Sequence, residues 1–257
     1  MIFTAVPMFS VEGQNDNDQG FGWLSHGYDG HQTNFNPQNQ ITIDTIHLLT
    51  DEWTNAFVVP PLVSGIELQP GLRARPLAKD GLVFMPVNFN SVFVHNIASG
   101  LPLWGYAYPV NMTQVIEEYP AISPYNPGIV EGSGIFENLL MFPTPDCGMV
   151  FLDHLTGVPE FRGELTRGQM CDNIDGNNGY YTGQIYSSPV VYEKERILIT
   201  GTSVSGKAES GRGYIGGFDV DTGELLWRFF LMPPAGGDKD WAMQYQGLGN
   251  VDPVPDD

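Results

Sequence analysis

Residues of a kind that does chemistry are few in this 257-residue chain, and most stand alone. Cys147 and Cys171 belong to no CxxC, and no HxxxH joins any of the five histidines, so the spacing spells out no transition-metal site. In an oxidising compartment the two cysteines can pair; elsewhere they are two thiols. His26 and His31 fit no metal spacing and read as loop residues. The run Asp172-Asn-Ile-Asp-Gly-Asn-Asn-Gly179 is rich in oxygen donors, but it lacks the glutamate that closes an EF-hand loop and reads as a surface turn. Arg73 and Arg75 suit either an acidic ligand or salt bridges within an acidic protein. Asn111-Met-Thr113 is a glycosylation sequon, relevant on export. The densest polar stretch is Gly201-Thr-Ser-Val-Ser-Gly-Lys-Ala-Glu-Ser-Gly-Arg-Gly-Tyr214. It reads as a long hairpin with a single carboxylate, Glu209, which a plain hairpin would leave solvated.

Composition limits what these residues can serve. Eleven basic against 30 acidic side chains give a net charge of −19 and a pI near 4.3. Phosphate backbones need Lys and Arg clusters, so nucleic acid is a poor partner, and an anionic membrane surface is repelled for the same reason. No apolar run approaches the length of a membrane helix. Met1 to Ser10 is apolar without Lys or Arg, and reads equally as the tail of a secretion signal or as a first strand. The 31 glycines and 20 prolines imply many turns and short elements, favouring an all-β fold over long helices.

The elements that would position any site announce themselves by repetition. Val92-Phe-Val-His-Asn-Ile-Ala-Ser-Gly-Leu-Pro-Leu-Trp104 shares its pattern with Met149-Val-Phe-Leu-Asp-His-Leu-Thr-Gly-Val-Pro-Glu-Phe161. The third copy is Tyr214-Ile-Gly-Gly-Phe-Asp-Val-Asp-Thr-Gly-Glu-Leu-Leu-Trp227. Each is a short β run, then Asn or Asp, then Ser-Gly or Thr-Gly, then an aromatic. The glycines supply the positive φ of a tight turn, and Asn96, Asp153 and Asp219 can hydrogen-bond its amides. Further strands precede the copies at Leu82 to Val87, Asn138 to Pro143, Pro189 to Tyr192 and Arg196 to Gly201. Four short strands per unit make a β-propeller blade, with Trp104, Phe161 and Trp227 expected to be buried between sheets. Trp53 closes an incomplete unit before the first. Propellers have about four to eight blades, so three do not close a ring.

These motifs resemble the pyrroloquinoline-quinone (PQQ)-dependent alcohol dehydrogenases, eight-bladed propellers of the quinoprotein class. The leading segment Gly22-Trp-Leu-Ser-His-Gly-Tyr-Asp-Gly-His-Gln-Thr-Asn-Phe-Asn-Pro-Gln-Asn-Gln-Ile41, continuing through Ile43, Ile46, Leu48, Leu49 and Trp53, is similar to the family's opening. The repeated pattern resembles its tryptophan-docking repeat, and Gly201 to Tyr214 its loop against PQQ and metal. The resemblance implies a single partial propeller over 1–257: a leading segment 1–53, about three blades over 54–235, and a tail 236–257 leading into further blades. It implies PQQ with Ca²⁺ or a lanthanide as cofactors, Ser205 and Gly206 against the quinone carboxylates, and Glu209 on the metal. The catalytic base is expected beyond residue 257. The implied activity is oxidation of an alcohol or polyol in a periplasmic or extracellular setting, with an electron acceptor such as a cytochrome c.

Departures from that family are specific. Arg73 stands where a Glu is usual, no vicinal Cys pair is present, and Glu209 to Arg212 is one residue shorter than the family spacing. The missing Cys pair and Arg73 favour an alternative, a non-catalytic quinoprotein-like propeller that binds other proteins as an outer-membrane assembly scaffold. The long polar Ser203 to Gly213 loop favours the enzyme, since a scaffold would have a plain hairpin there.

Overall fold

Each repeated motif folds as the turn its residues dictate. Asn96 Oδ1 accepts hydrogen bonds from the backbone N–H groups of Ala98 and Ser99 at 3.0 and 2.9 Å. Asp153 does the same for Leu155 and Thr156, and Asp219 for Asp221 and Thr222. The glycines that follow, Gly100, Gly157 and Gly223, have φ of 69°, 71° and 76°. Any side chain there would strain the left-handed backbone.

A computed structural model describes residues 22–28, 33–55, 74–87, 91–109, 132–144, 148–166, 183–185, 187–204 and 214–231. The three turns belong to three antiparallel four-stranded sheets. The first blade comprises β1 (Leu77–Lys79), β2 (Leu82–Val87), β3 (Ser91–Asn96) and β4 (Pro102–Ala107). The second comprises β5 (Gly134–Phe136), β6 (Leu139–Pro143), β7 (Met149–Asp153) and β8 (Pro159–Glu160). A two-stranded ribbon joins β9 (Gly183–Gln184) to β12 (Ser203–Val204). The third blade comprises β10 (Val190–Tyr192), β11 (Ile197–Gly201), β13 (Tyr214–Asp219) and β14 (Leu225–Phe230). The all-β propeller expectation is met, and the strands expected before each motif lie within a residue of their places. The short first strands β1 and β5, and the β9–β12 ribbon, carry no sequence pattern that announces them.

Strand alternation sends each blade's side chains to both neighbours. In the second blade, Leu140, Phe142, Val150 and Leu152 pack with Phe84, Val92 and Val94 of the first. Leu139, Met141, Met149 and Phe151 pack with Leu198, Phe218 and Phe230 of the third. Both faces are therefore dry, which is why β6 reads as an unbroken apolar run. Burying a side chain such as Phe142 contributes about 2 kcal/mol.

The motif aromatics reach from one blade to the next. Trp104 lies over Gly157 so closely that a Cβ there would come within 2.6 Å of the indole. Trp53 lies over Gly100 in the same way, at 2.5 Å. Its Nε1 donates to the Ile97 carbonyl at 2.8 Å, and its ring stacks on His95. Trp53 thus does for the first blade what Trp104 does for the second. The third boundary departs from expectation: Phe161 is 66% exposed, and Trp104 and Trp227 are half-buried. β8 ends at Glu160, and the chain turns into a 3-10 helix at Gly163–Thr166 before the ring can dock. Arg162 takes its place, donating from Nη1 to the carbonyls of Val220 and Asp221 at 3.4 and 3.3 Å. Val220 is the counterpart of Ile97 in the repeat.

Candidate functional site

The two ends of the blades differ. At one end lie the tight β1–β2, β5–β6 and β10–β11 turns and the three Asx-type turns. At the other, β4 and β11 run into the connections that follow Ala107 and Gly201. Contacts between blades keep the ends in step, because turn touches turn across each boundary.

The tight-turn end is tied by charge. Asp80, Glu137 and Arg196 sit in corresponding turns with φ of 51°, 51° and 54°. Arg196 makes paired hydrogen bonds to the Glu137 carboxylate of the second blade at 2.6 and 3.2 Å. It also binds Asp221 of its own blade at 2.7 and 2.9 Å. The Arg196 guanidinium holds the Asp221 carboxyl below its ordinary range, and Asp221 and Glu137 raise the pKa of Arg196 in return. The Thr156 hydroxyl, assisted by backbone amides, lowers Asp153 likewise. A carboxylate depressed on folding contributes stability that is present above its unfolded pKa and lost as pH falls through the folded one. The melting temperature should therefore fall on acidification below about pH 4. Thr156→Val should move that acid transition to higher pH; an unmoved transition would show that Asp153 contributes nothing to it.

At the opposite end the described residues are those from which the polar loop departs. Thr202 clamps the base of the polar loop to Tyr214: its N–H donates to the Tyr214 carbonyl at 2.8 Å. Its hydroxyl accepts from the Tyr214 N–H at 3.2 Å and faces the same carbonyl at 3.4 Å. Both residues are buried. The β9–β12 ribbon, pairing Ser203 with Gln184 and Val204 with Gly183, steadies the start of the loop. Ser205, Gly206 and Glu209 follow directly and lie outside the described residues, as do Arg73, His31, Asn111, Cys147, Cys171 and Asp172 to Gly179. Two buried hydroxyls, Ser133 Oγ and Thr200 Oγ1, find no partner among the described residues. Both belong to strands or strand starts at this end.

The leading segment reaches the same end along the first-strand edge. Trp23 exchanges backbone hydrogen bonds with Ala78, and the Leu24 carbonyl accepts from Ile135 N–H. Arg75 donates to the His26 carbonyl and the Asn34 side-chain oxygen at 3.2 and 3.3 Å. Among the described residues, Arg75 is thus held by neutral acceptors. Arg196, Arg162 and His154 were not legible as tie points. Arg162 follows the motif aromatic and His154 follows the turn Asp153, and these offsets are the signal that could have found them.

Hydroxyls, carboxylates and backbone carbonyls are the hard oxygen ligands that Ca²⁺ and lanthanides take. Among the described residues no group of three His, Cys, Asp or Glu could hold a metal. No helix among the described residues is long and apolar enough to cross a membrane.

Comparison with known proteins agrees with the geometry. Residues 23–251 match the family model described as PQQ, the β-propeller domain of glucose/ethanol/alcohol dehydrogenase. The chain is 26% identical to quinohemoprotein alcohol dehydrogenase ADH IIB of Pseudomonas putida, covering 82% of this chain and 26% of that protein. It is 23% identical to the dehydrogenase subunit of the quinone-type alcohol dehydrogenase of Gluconobacter oxydans, covering 82% of this chain and 25% of that one. In structure it resembles the quinohemoprotein alcohol dehydrogenase of Comamonas testosteroni, with a TM-score of 0.62 at 21% identity. That match covers 88% of this chain and 30% of the other. A europium-containing methanol dehydrogenase shares the fold with a TM-score of 0.55 at 18% identity, covering 83% and 32%. The chain thus spans about a quarter of the length of the curated relatives it matches.

Proposed function

Because the chain belongs to the PQQ-type glucose/ethanol/alcohol dehydrogenase β-propeller family, we propose that it forms part of a quinoprotein dehydrogenase that oxidises an alcohol or polyol. The observation that carries this reading is the polar loop clamped by Thr202 and Tyr214 at the end opposite the tight turns. The Thr202 hydroxyl adds a side-chain bond to the last rung of the β11–β13 ladder, and the β9–β12 ribbon pairs beside it. In this reading Glu209 supplies a carboxylate oxygen to Ca²⁺ or a lanthanide, the Ser205 hydroxyl donates to a quinone carboxylate, and the Gly206 amide does the same. Held by these residues, the quinone would supply a hydride acceptor and the cation a Lewis acid. The base that takes the hydroxyl proton would lie outside residues 1–257. Electrons would leave to an acceptor such as a cytochrome c, and the setting would be periplasmic or extracellular, which the net charge of −19 suits.

The whole protein, incubated with PQQ and Ca²⁺ or a lanthanide, should reduce an artificial dye when given a primary alcohol. Residues 1–257 alone should not turn over. A whole protein that binds no quinone under either cation would leave a protein-binding propeller as the function. Dye reduction by residues 1–257 alone would overturn the division of the site.

A further inference from the structure

His154 stands at the boundary of the first and second blades, on the tight-turn end, with its side chain 5% exposed. Its Nε2 is 2.8 Å from Asp80 Oδ2 of the first blade. Its Nδ1 is 3.0 Å from the Asn138 carbonyl oxygen, which also accepts the His154 backbone N–H. An ionised carboxylate and a carbonyl oxygen both only accept. A neutral imidazole carries one N–H and so can satisfy one of them; the imidazolium satisfies both. Phe84 covers the ring from β2 with centroids 6.3 Å apart, so water is poorly placed to substitute.

The charged groups around the ring are accounted for. Lys79, at the end of β1, donates to the Glu137 carbonyl. The Glu137 carboxylate is taken by Arg196. Asp153, the residue before His154, is held by Thr156 and its amides, and is a further negative charge nearby. Asp80, at 44% exposure, is the carboxylate that bonds the ring. At the next boundary the corresponding acidic turn residue, Glu137, meets Arg196 instead, a cation at every physiological pH.

We propose that the contact between the first and second blades is a proton-dependent latch: Asp80 and Asn138 grip His154 as the imidazolium and release one contact when the ring is neutral. The boundary between the second and third blades, closed by Arg196, is indifferent over the same range. Protonation of the ring therefore tightens one joint of the propeller and leaves its neighbour unchanged.

Hydrogen–deuterium exchange of the full chain, corrected for intrinsic rates and compared at about pH 6 and about pH 8, tests this. Segments 77–84 and 150–158 should be roughly tenfold less protected at the higher pH, the worth of one charge-assisted hydrogen bond. Segments 190–201 and 214–225 should not change. Asp80→Asn is the discriminating variant. Asparagine tolerates the φ of 51° at this turn, and its amide N–H can donate to a neutral Nε2 while Nδ1–H still reaches Asn138. The variant should stay protected at both values. An unaltered protein with no pH difference overturns the latch, as does an Asp80→Asn variant keeping the full difference, or an equal change at the Arg196 boundary. In the unaltered protein, the ¹⁵N shifts of the two His154 ring nitrogens should change together with the protection of these segments; protection that changes while the ring shifts stay constant overturns the latch without recourse to any variant.

Discussion

Gly223→Ala is expected to cost about 4 kcal/mol of folding stability, against about 1–2 kcal/mol for Gly81→Ala. The two glycines have nearly the same backbone, with φ of 76° and 74°. Alanine therefore pays the same left-handed strain at either site. Their surroundings differ. A Cβ on Gly81 meets nothing within 4 Å, whereas one on Gly223 would lie 1.6 Å from the Arg162 carbonyl oxygen. That neighbour is backbone, and cannot rotate away as a side-chain tip does. Relief requires the second and third blades to part, opening the core lined by Met141, Phe151, Leu198 and Phe218. Urea denaturation of both variants measures the difference. Equal losses would show that the blades do not meet at this turn, and that the glycine serves its own hairpin only.

The sequence made the turns legible because their chemistry is local. An Asp or Asn three residues before a Ser or Thr, then Gly, closes its hydrogen bonds within the motif, so no tertiary knowledge is needed. The middle strands were legible for a related reason: buried on both faces, β2, β6 and β7 are unbroken apolar runs. The first strands were not, since three residues such as Leu77–Lys79 hold too little pattern and take their conformation from the neighbouring strand. Phe161 misled because the repeat predicts a docked ring, and nothing local says that β8 stops two residues after it starts. Arg162 then makes, with a guanidinium, the carbonyl contact that Trp53 makes with an indole. Ion pairs such as Arg196 with Glu137 join residues far apart in the chain, and single-sequence reading has no access to such pairs. Of the candidate site, the loop was legible as an unusually polar insertion. Its anchoring by Thr202 and the β9–β12 ribbon was not, because both depend on partners outside the loop.

Glu209→Gln in the whole protein should lower cation affinity at least roughly 100-fold and slow alcohol oxidation in proportion. Losing even an outer-shell partner of a metal ligand costs about 10–100-fold, and Glu209 is proposed as a ligand itself. The substitution keeps side-chain size and one carbonyl oxygen but removes the negative charge, and a hard trivalent or divalent cation is held chiefly by charge and oxygen donors. The fold should not register the change. The clamp between Thr202 and Tyr214 and the ribbon of Ser203 with Gln184 close the loop without Glu209, so the melting temperature of the cation-free protein should stay within about 1 °C, as for an ordinary surface substitution. Titration with Tb³⁺, followed by luminescence, reads cation affinity independently of turnover. Weakened binding with an unchanged fold would place the carboxylate on the cation. Unchanged affinity with unchanged turnover would return Glu209 to a solvated hairpin, consistent with its shortened spacing to Arg212. Loss of both affinity and melting temperature would make Glu209 a structural part of the loop, and the metal ligand would have to be sought on another connection at the same end of the blades.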